Sequence, residues 1–162
     1  MARNNGQLSI EHARIWGRNF AGEPSTYNRS GDRNFLLTID DEDVAIRLEE
    51  EGWNVKRTKP HPDDPDYEPA YYLPVKVKFD SARPPRIIVK KGSKLQVFDE
   101  DNVGTLDSVM IKDCAVVVNP YTWRRDDGSI GGISAYLQSM LMTVEEDLVD
   151  QLLADMESPS ED

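Results

Sequence analysis

The chain has 162 residues, 38% of them hydrophobic and 30% charged, with a formal net charge of −11. That length supports one domain with its own core, and the composition is too apolar for a disordered chain. No apolar run is long enough to span a bilayer, the residues after Met1 lack the apolar stretch of a signal peptide, and the single Cys114 excludes an internal disulfide, so the expected setting is a reducing cytoplasm.

The charge is not spread evenly. Residues 143–162 hold eight acids and no Lys or Arg. Without them the body has 19 basic against 22 acidic residues, a balance of −3. Within the body, residues 70–98 carry Lys76, Lys78, Arg83, Arg86, Lys90, Lys91 and Lys94 against Asp80 alone. A basic middle and an acidic end on one short chain is the most informative feature of the composition.

In chain order, residues 1–6 read as an arm and residues 8–16 as a first strand, with His12 an ordinary strand residue. Residues 17–32 read as loop. Arg33 to Asp40 is a second strand. The period then changes: Asp40 or Asp41 caps a helix through Val44, Ala45 and Leu48, and Gly52 stops it. Residues 53–58 form a short strand, and four prolines make residues 59–69 a loop. Tyr71 to Asp80 alternates, with Leu73, Val75, Val77 and Phe79 facing one way and Tyr72, Lys76 and Lys78 the other. Pro74 there favours an edge or a bulge. Arg86–Lys91 and Lys94–Phe98 form a hairpin around Gly92-Ser93. Residues 99–107 read as polar loop, and Ser108 to Asn119 as the longest strand, with Cys114 an inert core thiol. Asp126-Asp127-Gly128 is a turn, and residues 133–142 are the return strand, although their Leu and Met content also permits a helix. The fold class is mainly β: an OB-like closed or partly open barrel with one short helix, a sandwich being second.

Catalytic signatures are missing: no nucleophile elbow, no Gly-rich phosphate loop and no HExxH. Two His and one Cys, far apart, do not make a zinc site, and the acids of residues 61–68 read as a solvated proline-rich loop. The chain is therefore read as a binder with no enzyme activity, metal or cofactor. Lys and Arg with interleaved aromatics suit a single strand, whose phosphates take the cations and whose bases stack on rings. The candidates are Trp53, Lys56, Arg57 and Lys59; Tyr72, Lys76 and Lys78; Arg86 and Lys90 on one strand with Lys94 and Phe98 on its partner; and Tyr121, Trp123, Arg124 and Arg125 at a hairpin tip. Each alone would pass for core or solvated surface. As a set they make a stripe.

Residues 1–142 are expected to form the binding domain and residues 143–162 an acidic tail. Thr143 to Met156 reads as an amphipathic helix capped by Thr143, with Val144, Leu148, Leu152 and Met156 on one side, and residues 158–162 as disordered. Such a tail either solubilises the chain or competes for the basic stripe, where tethering gives an effective concentration near millimolar.

Several segments together resemble the phage single-stranded DNA-binding proteins with an OB fold. They are Arg33-Asn34-Phe35 leading to Leu37-Thr38-Ile39-Asp40, the helix end Gly52-Trp53-Asn54-Val55-Lys56, the strand Tyr72-Leu73-Pro74-Val75-Lys76-Val77, and Gly131-Gly132-Ile133-Ser134-Ala135-Tyr136-Leu137, closed by the acidic end. The resemblance implies a sequence-nonspecific protein that coats single strands during phage replication or recombination, in the cytoplasm of an infected host. It also implies replication or recombination partners that engage residues 143–162, with no membrane partner, and leaves room for a homodimer. One departure is that the chain ends Ser160-Glu161-Asp162, without the terminal aromatic residue such tails often carry. A DNA mimic or inhibitor is the competing reading, and a virion component is a third. Against a mimic, eight of the eleven excess charges sit in the last twenty residues.

Overall fold

The computed structural model describes residues 2–4, 6–26, 28–59, 62–66 and 68–145, with residues 2–4 described as backbone only. It is a mainly β architecture. In chain order the elements are β1 (Ala2–Asn4), β2 (Gln7–Ile10), β3 (Ile15–Asn19), β4 (Arg33–Ile39), α1 (Glu42–Glu51), β5 (Lys56–Arg57), β6 (Tyr71–Val77), β7 (Arg86–Lys91), β8 (Lys94–Phe98), a 3-10 turn (Val103–Asp107), β9 (Ile111–Arg124) and β10 (Ile130–Val144). All ten strands join one sheet, whose main order is β1-β2-β9-β10-β6-β4-β3. The end strands β1 and β3 do not meet, so the barrel is OB-like and open.

Strand β10 is the spine. One edge pairs antiparallel with β9 along its length. The other edge is shared, pairing parallel first with β6 at Ala135 and Tyr136, then with β7 from Ser139 to Val144. A bulge at Gln138 separates the two stretches. It shifts the alternation by one residue. Ala135 and Leu137 point inward before it, and Met140, Met142 and Val144 after it. Without the extra residue, the second half would turn its apolar side to water.

The core is apolar throughout the described residues. It is built from Phe35, Leu37, Leu73, Val75, Ile87, Val89, Cys114, Val116, Val118 and the inward side of β10, with Ala45 and Leu48 of α1. Burial pushes the Cys114 thiol up to about 12, which suits an inert core residue. Helix α1 begins as its sequence dictates: the Asp41 carboxylate accepts the N–H groups of Asp43 and Val44, and Gly52 ends it at φ 103°.

Several local expectations change. The strand expected over 8–16 is two strands, because the chain leaves β9 and crosses to β4. The corner is His12, at φ 52°, where the Ala13 N–H donates to the Cys114 carbonyl. Residues 103–107 are a 3-10 turn that buries Val103 and Leu106. Arg18 donates to the Leu106 and Val109 carbonyls at 2.8 and 2.9 Å, and the Asp107 carboxylate accepts the Phe20 and Ala21 N–H groups at 2.7 and 3.1 Å. This reciprocal clamp ties the turn to β3. Pro74 is not on an edge strand, since β6 lies between β4 and β10. It falls between the residues paired with β5 (Tyr71, Tyr72) and those paired with β10 (Val75, Lys76), where no third neighbour needs its missing N–H. Thr143 and Val144 belong to β10, so no helix is capped at Thr143; the rest of the expected tail helix and end, 146–162, lies outside the described residues.

Trp53 is the largest correction. At 4% exposure it is a core residue. Its N–H donates to the Leu48 carbonyl, and a short bridge to Ile133 ties the segment to β10. It cannot offer a ring face to a base. Trp53→Ala should lower the free energy of urea unfolding by about 3–5 kcal/mol, the cost of emptying a large aromatic site.

His12 and Asp113 meet across the corner, Nδ1 to Oδ1 at 3.0 Å. The hydrogen bond to Asp113 raises the His12 pKa above its ordinary 6.5, and the same bond lowers that of Asp113. A raised folded pKa gives stability that is full below about 6.5 and fades as pH rises through the folded value. An NMR titration should show the His12 imidazole titrating above 6.5 and returning toward 6.5 in Asp113→Asn. An unchanged midpoint would remove the pair from the corner.

Candidate nucleic-acid interface

Alternation divides the sheet into a core side and an outer side, and register decides which outer residues meet. Lys76 of β6 lies opposite Asn34 of β4 and Tyr136 of β10. Tyr72 lies opposite Thr38 and Lys56, and Leu36 opposite Trp16. On β9, Asn119 faces Tyr136, Tyr121 faces Ser134 and Trp123 faces Gly132. One outer face therefore runs from β3 through β4, β6 and β10 to β9.

Its aromatics are in contact. Trp16 and Tyr72 meet edge to face, with centroids 5.0 Å apart. Tyr121 and Tyr136 do the same at 5.6 Å. The Lys76 ammonium lies 5.7 Å from the Tyr136 centroid. Trp16, Tyr121 and Trp123 remain 43%, 57% and 43% exposed. Large aromatics are rarely left this open together without a ligand to cover them.

Beside this row is a groove of about 790 Å3, lined among others by Asn28, Arg33, Asn34, Lys76, Lys78 and Tyr136. Asp32, Asp80 and Glu100 also line it, so its formal charge is balanced. Arg33 is held in place: it donates to the Phe20 carbonyl at 2.9 Å and lies 5.7 Å from the Phe79 centroid. Farther along β10, Arg86 lies opposite Ser139 and Lys90 opposite Thr143, both outward. Arg83 and Arg86 border a smaller hollow with Gln7, Asn119 and Gln138.

The face thus gathers Lys56, Tyr72, Lys76, Arg86, Lys90, Tyr121 and Trp123, and Lys78 stands at its groove. It does not gather the rest. Trp53 is in the core. Arg57 pairs with Tyr71, lies 5.0 Å over that ring and reaches Glu49 of α1 at 3.6 Å, so it serves the helix side. Lys59 is exposed where the proline-rich loop begins. Lys94 and Phe98 lie opposite Lys91 and Ile87, on the other side of the β7–β8 hairpin from Lys90, and Phe98 packs against the core. The stripe is divided there by pleating, and Leu95 and Val97 take the outer positions instead. Arg124 donates to the Gly128 carbonyl and Arg125 to the Ile130 carbonyl, at 3.0 and 3.1 Å. They brace the hairpin tip while staying exposed.

Two members escaped the sequence reading. Trp16 was visible as an aromatic in a strand, but its partner Tyr72 is 56 residues away. Tyr136 sits in the return strand, inside the segment 131–137 that carries the resemblance, but nothing local marked it as facing outward. Among the described residues no cluster of His, Cys, Asp and Glu could hold a metal ion, and no helix is long and apolar enough to cross a membrane.

Comparison with known proteins agrees in kind. Three solved structures of the single-stranded DNA-binding protein of bacteriophage Enc34 share the fold. A C-terminal truncation is 12% identical, with a TM-score of 0.52 over 88% of each chain. A complex with ssDNA is 11% identical, with a TM-score of 0.52 over 88% of each. A further structure is 13% identical, with a TM-score of 0.50 over 89% of this chain and 84% of that one. No curated protein matches the sequence. The family model described as "Putative phage ssDNA-binding domain" matches residues 2–162, nearly the whole chain, and the chain belongs to that family.

Proposed function

We propose that the chain coats single-stranded DNA without strong sequence preference, in phage replication or recombination, and that the strand crosses the outer face from Trp16 to Trp123. The observation that carries this reading is the aromatic row itself. Trp16–Tyr72 and Tyr136–Tyr121 are contacting pairs on one face, with Lys76 between them and Trp123 at the end. Stacking needs only a π face, which every base has, so such a row binds without reading sequence. A duplex hides those faces inside its stack. The Enc34 relative solved with ssDNA has the same fold, which fits. Lys56, Lys76, Lys78, Arg86 and Lys90 supply phosphate contacts along the route.

Fluorescent oligonucleotide titrations test this. Single strands should bind better than duplex, and Tyr72→Ala or Tyr136→Ala should each cost about 1–3 kcal/mol. Lys76→Glu with Lys90→Glu should nearly abolish binding at unchanged melting temperature, whereas Lys94→Glu, on the other side of its hairpin, should do far less. Equal losses at Lys90 and Lys94 would sink the divided stripe. Equal affinity for duplex would sink the stacking surface.

The acidic end of the chain belongs to the same reading. Seven acids follow Glu145, the last described residue, and β10 ends at Val144, one residue beyond Thr143, which lies opposite Lys90 of the face. Their attraction to that face opposes DNA, and a second use is the capture of replication or recombination partners. Truncation after Glu145 keeps β10 whole and should tighten single-strand binding, most at low salt, where screening is weakest. Unchanged or weaker binding by the folded truncated protein would leave only the partner role.

A further inference from the structure

Gly131 and Gly132 stand side by side inside the 15-residue strand β10. Glycine in a strand interior is unfavourable unless the backbone needs its freedom or something approaches closely. Gly131 is the extra residue where the pairing with β9 shifts, which lets both glycines meet one ring, but neither φ lies in the left-handed region, so the irregularity alone does not demand glycine. The close approach does. A Cβ on Gly131 would lie 1.9, 2.3 and 2.4 Å from Cζ3, Cε3 and Cη2 of Trp123, and one on Gly132 would lie 3.1 Å from its Nε1 and 3.3 Å from Cζ2. The six-membered ring covers one glycine and the pyrrole side the other. The indole therefore lies across both Cα atoms, and its open side keeps the residue 43% exposed.

We propose that Gly131 and Gly132 form a backbone floor that holds the Trp123 indole as a one-sided platform for a single unpaired nucleobase. This rests on the reading of the outer face as the DNA surface. The floor occupies one ring face, so a base can stack only on the other. It also fixes the ring before DNA arrives, which lowers the ordering cost of binding. The hairpin tip around it is braced in the same way. The Arg125 N–H donates to the Ser129 carbonyl at 2.8 Å, its guanidinium to the Ile130 carbonyl, and the Asp127 carboxylate accepts both the N–H and the hydroxyl of Ser129. Tyr121, two residues back on the same side of β9, is about 7 Å away by strand geometry, a distance an extended nucleotide can span. Gly131 is thus a positioning residue, acting through Trp123.

The test is a double-mutant cycle in oligo(dT) affinity and in tryptophan quenching, using the full chain. Trp123→Ala and Gly131→Ala should each weaken binding about tenfold, and the double variant should be no weaker than Trp123→Ala, because both changes remove the same platform. If Gly131→Ala fails to fold, the double variant should fold, since the added methyl then meets no ring; that rescue supports the floor. The floor is overturned if Gly131→Ala binds like wild type while Trp123→Ala is weakened, if the losses add, or if neither Gly131 variant folds. If Trp123→Ala itself binds like wild type, the platform falls. The wider DNA surface is judged separately by Tyr72→Ala and Tyr136→Ala.

Discussion

The bulge at Gln138 is the constraint on which the outer face depends. A strand fifteen residues long with strict alternation would keep one phase from end to end. Strand β10 must serve two neighbours on one edge, β6 and then β7, and its inward residues change phase between them. Gln138 absorbs the difference. Its amide oxygen accepts from the Gln7 side chain, so the looped-out residue is tied to β2. With the phase set this way, Tyr136 points outward beside Lys76 while Met140 and Met142 point inward. Shifting either half by one residue would bury Tyr136 or expose the methionines. Core and interface are thus fixed by the same register.

That bulge also explains why the sequence was hard to read there. The buried positions of β10 are 135, 137, 140, 142 and 144, and the step of three between 137 and 140 imitates a helix. The reading of the hairpin β7–β8 failed for a different reason. Its turn and strands were legible, but the side on which Lys94 faces depends on its register with Lys91. Placing Lys90 and Lys94 in one stripe took them to share a side, and the pairing puts them on opposite ones. Helix α1, by contrast, was legible to within a residue because its signals are local: an Asp cap at 40 or 41, which the structure resolves to Asp41, two buried apolar positions and Gly52. Contacts such as Trp16–Tyr72 join residues that no local pattern links. Trp53 was misassigned for the complementary reason. Its basic neighbours Lys56 and Arg57 suggested a surface, yet the segment first tucks under β10 through Ile133.

The charge distribution sets what kind of binding this face can support. The groove beside Tyr136 places Arg33, Lys76 and Lys78 among Asp32, Asp80 and Glu100. Such a lining does not attract a polyanion from a distance. The cations that face outward without an acidic neighbour across the strand are few: Lys56, Lys76, Arg86 and Lys90 lie opposite Tyr72, Asn34, Tyr136, Ser139 and Thr143. Each released counterion contributes only modestly for a single strand. On the proposed reading, affinity therefore draws heavily on stacking, and the exposed rings are the part of the surface that can supply it.

Stacking affinity has a structural cost that the fold meets in a consistent way. A large exposed ring in water is free to rotate, and ordering it on binding offsets part of what stacking contributes. On this face the rings are ordered beforehand: Trp16 by the edge of Tyr72, Tyr121 by the edge of Tyr136, Tyr136 by the Lys76 ammonium and Trp123 by the two glycines beneath it. Each holding contact joins two strands or the two arms of a hairpin. The rings are therefore positioned by sheet register rather than by their own side-chain preferences. A face organised in this way keeps its spacing when the sequence of the bound strand changes, which is the physical requirement for binding a single strand without reading it.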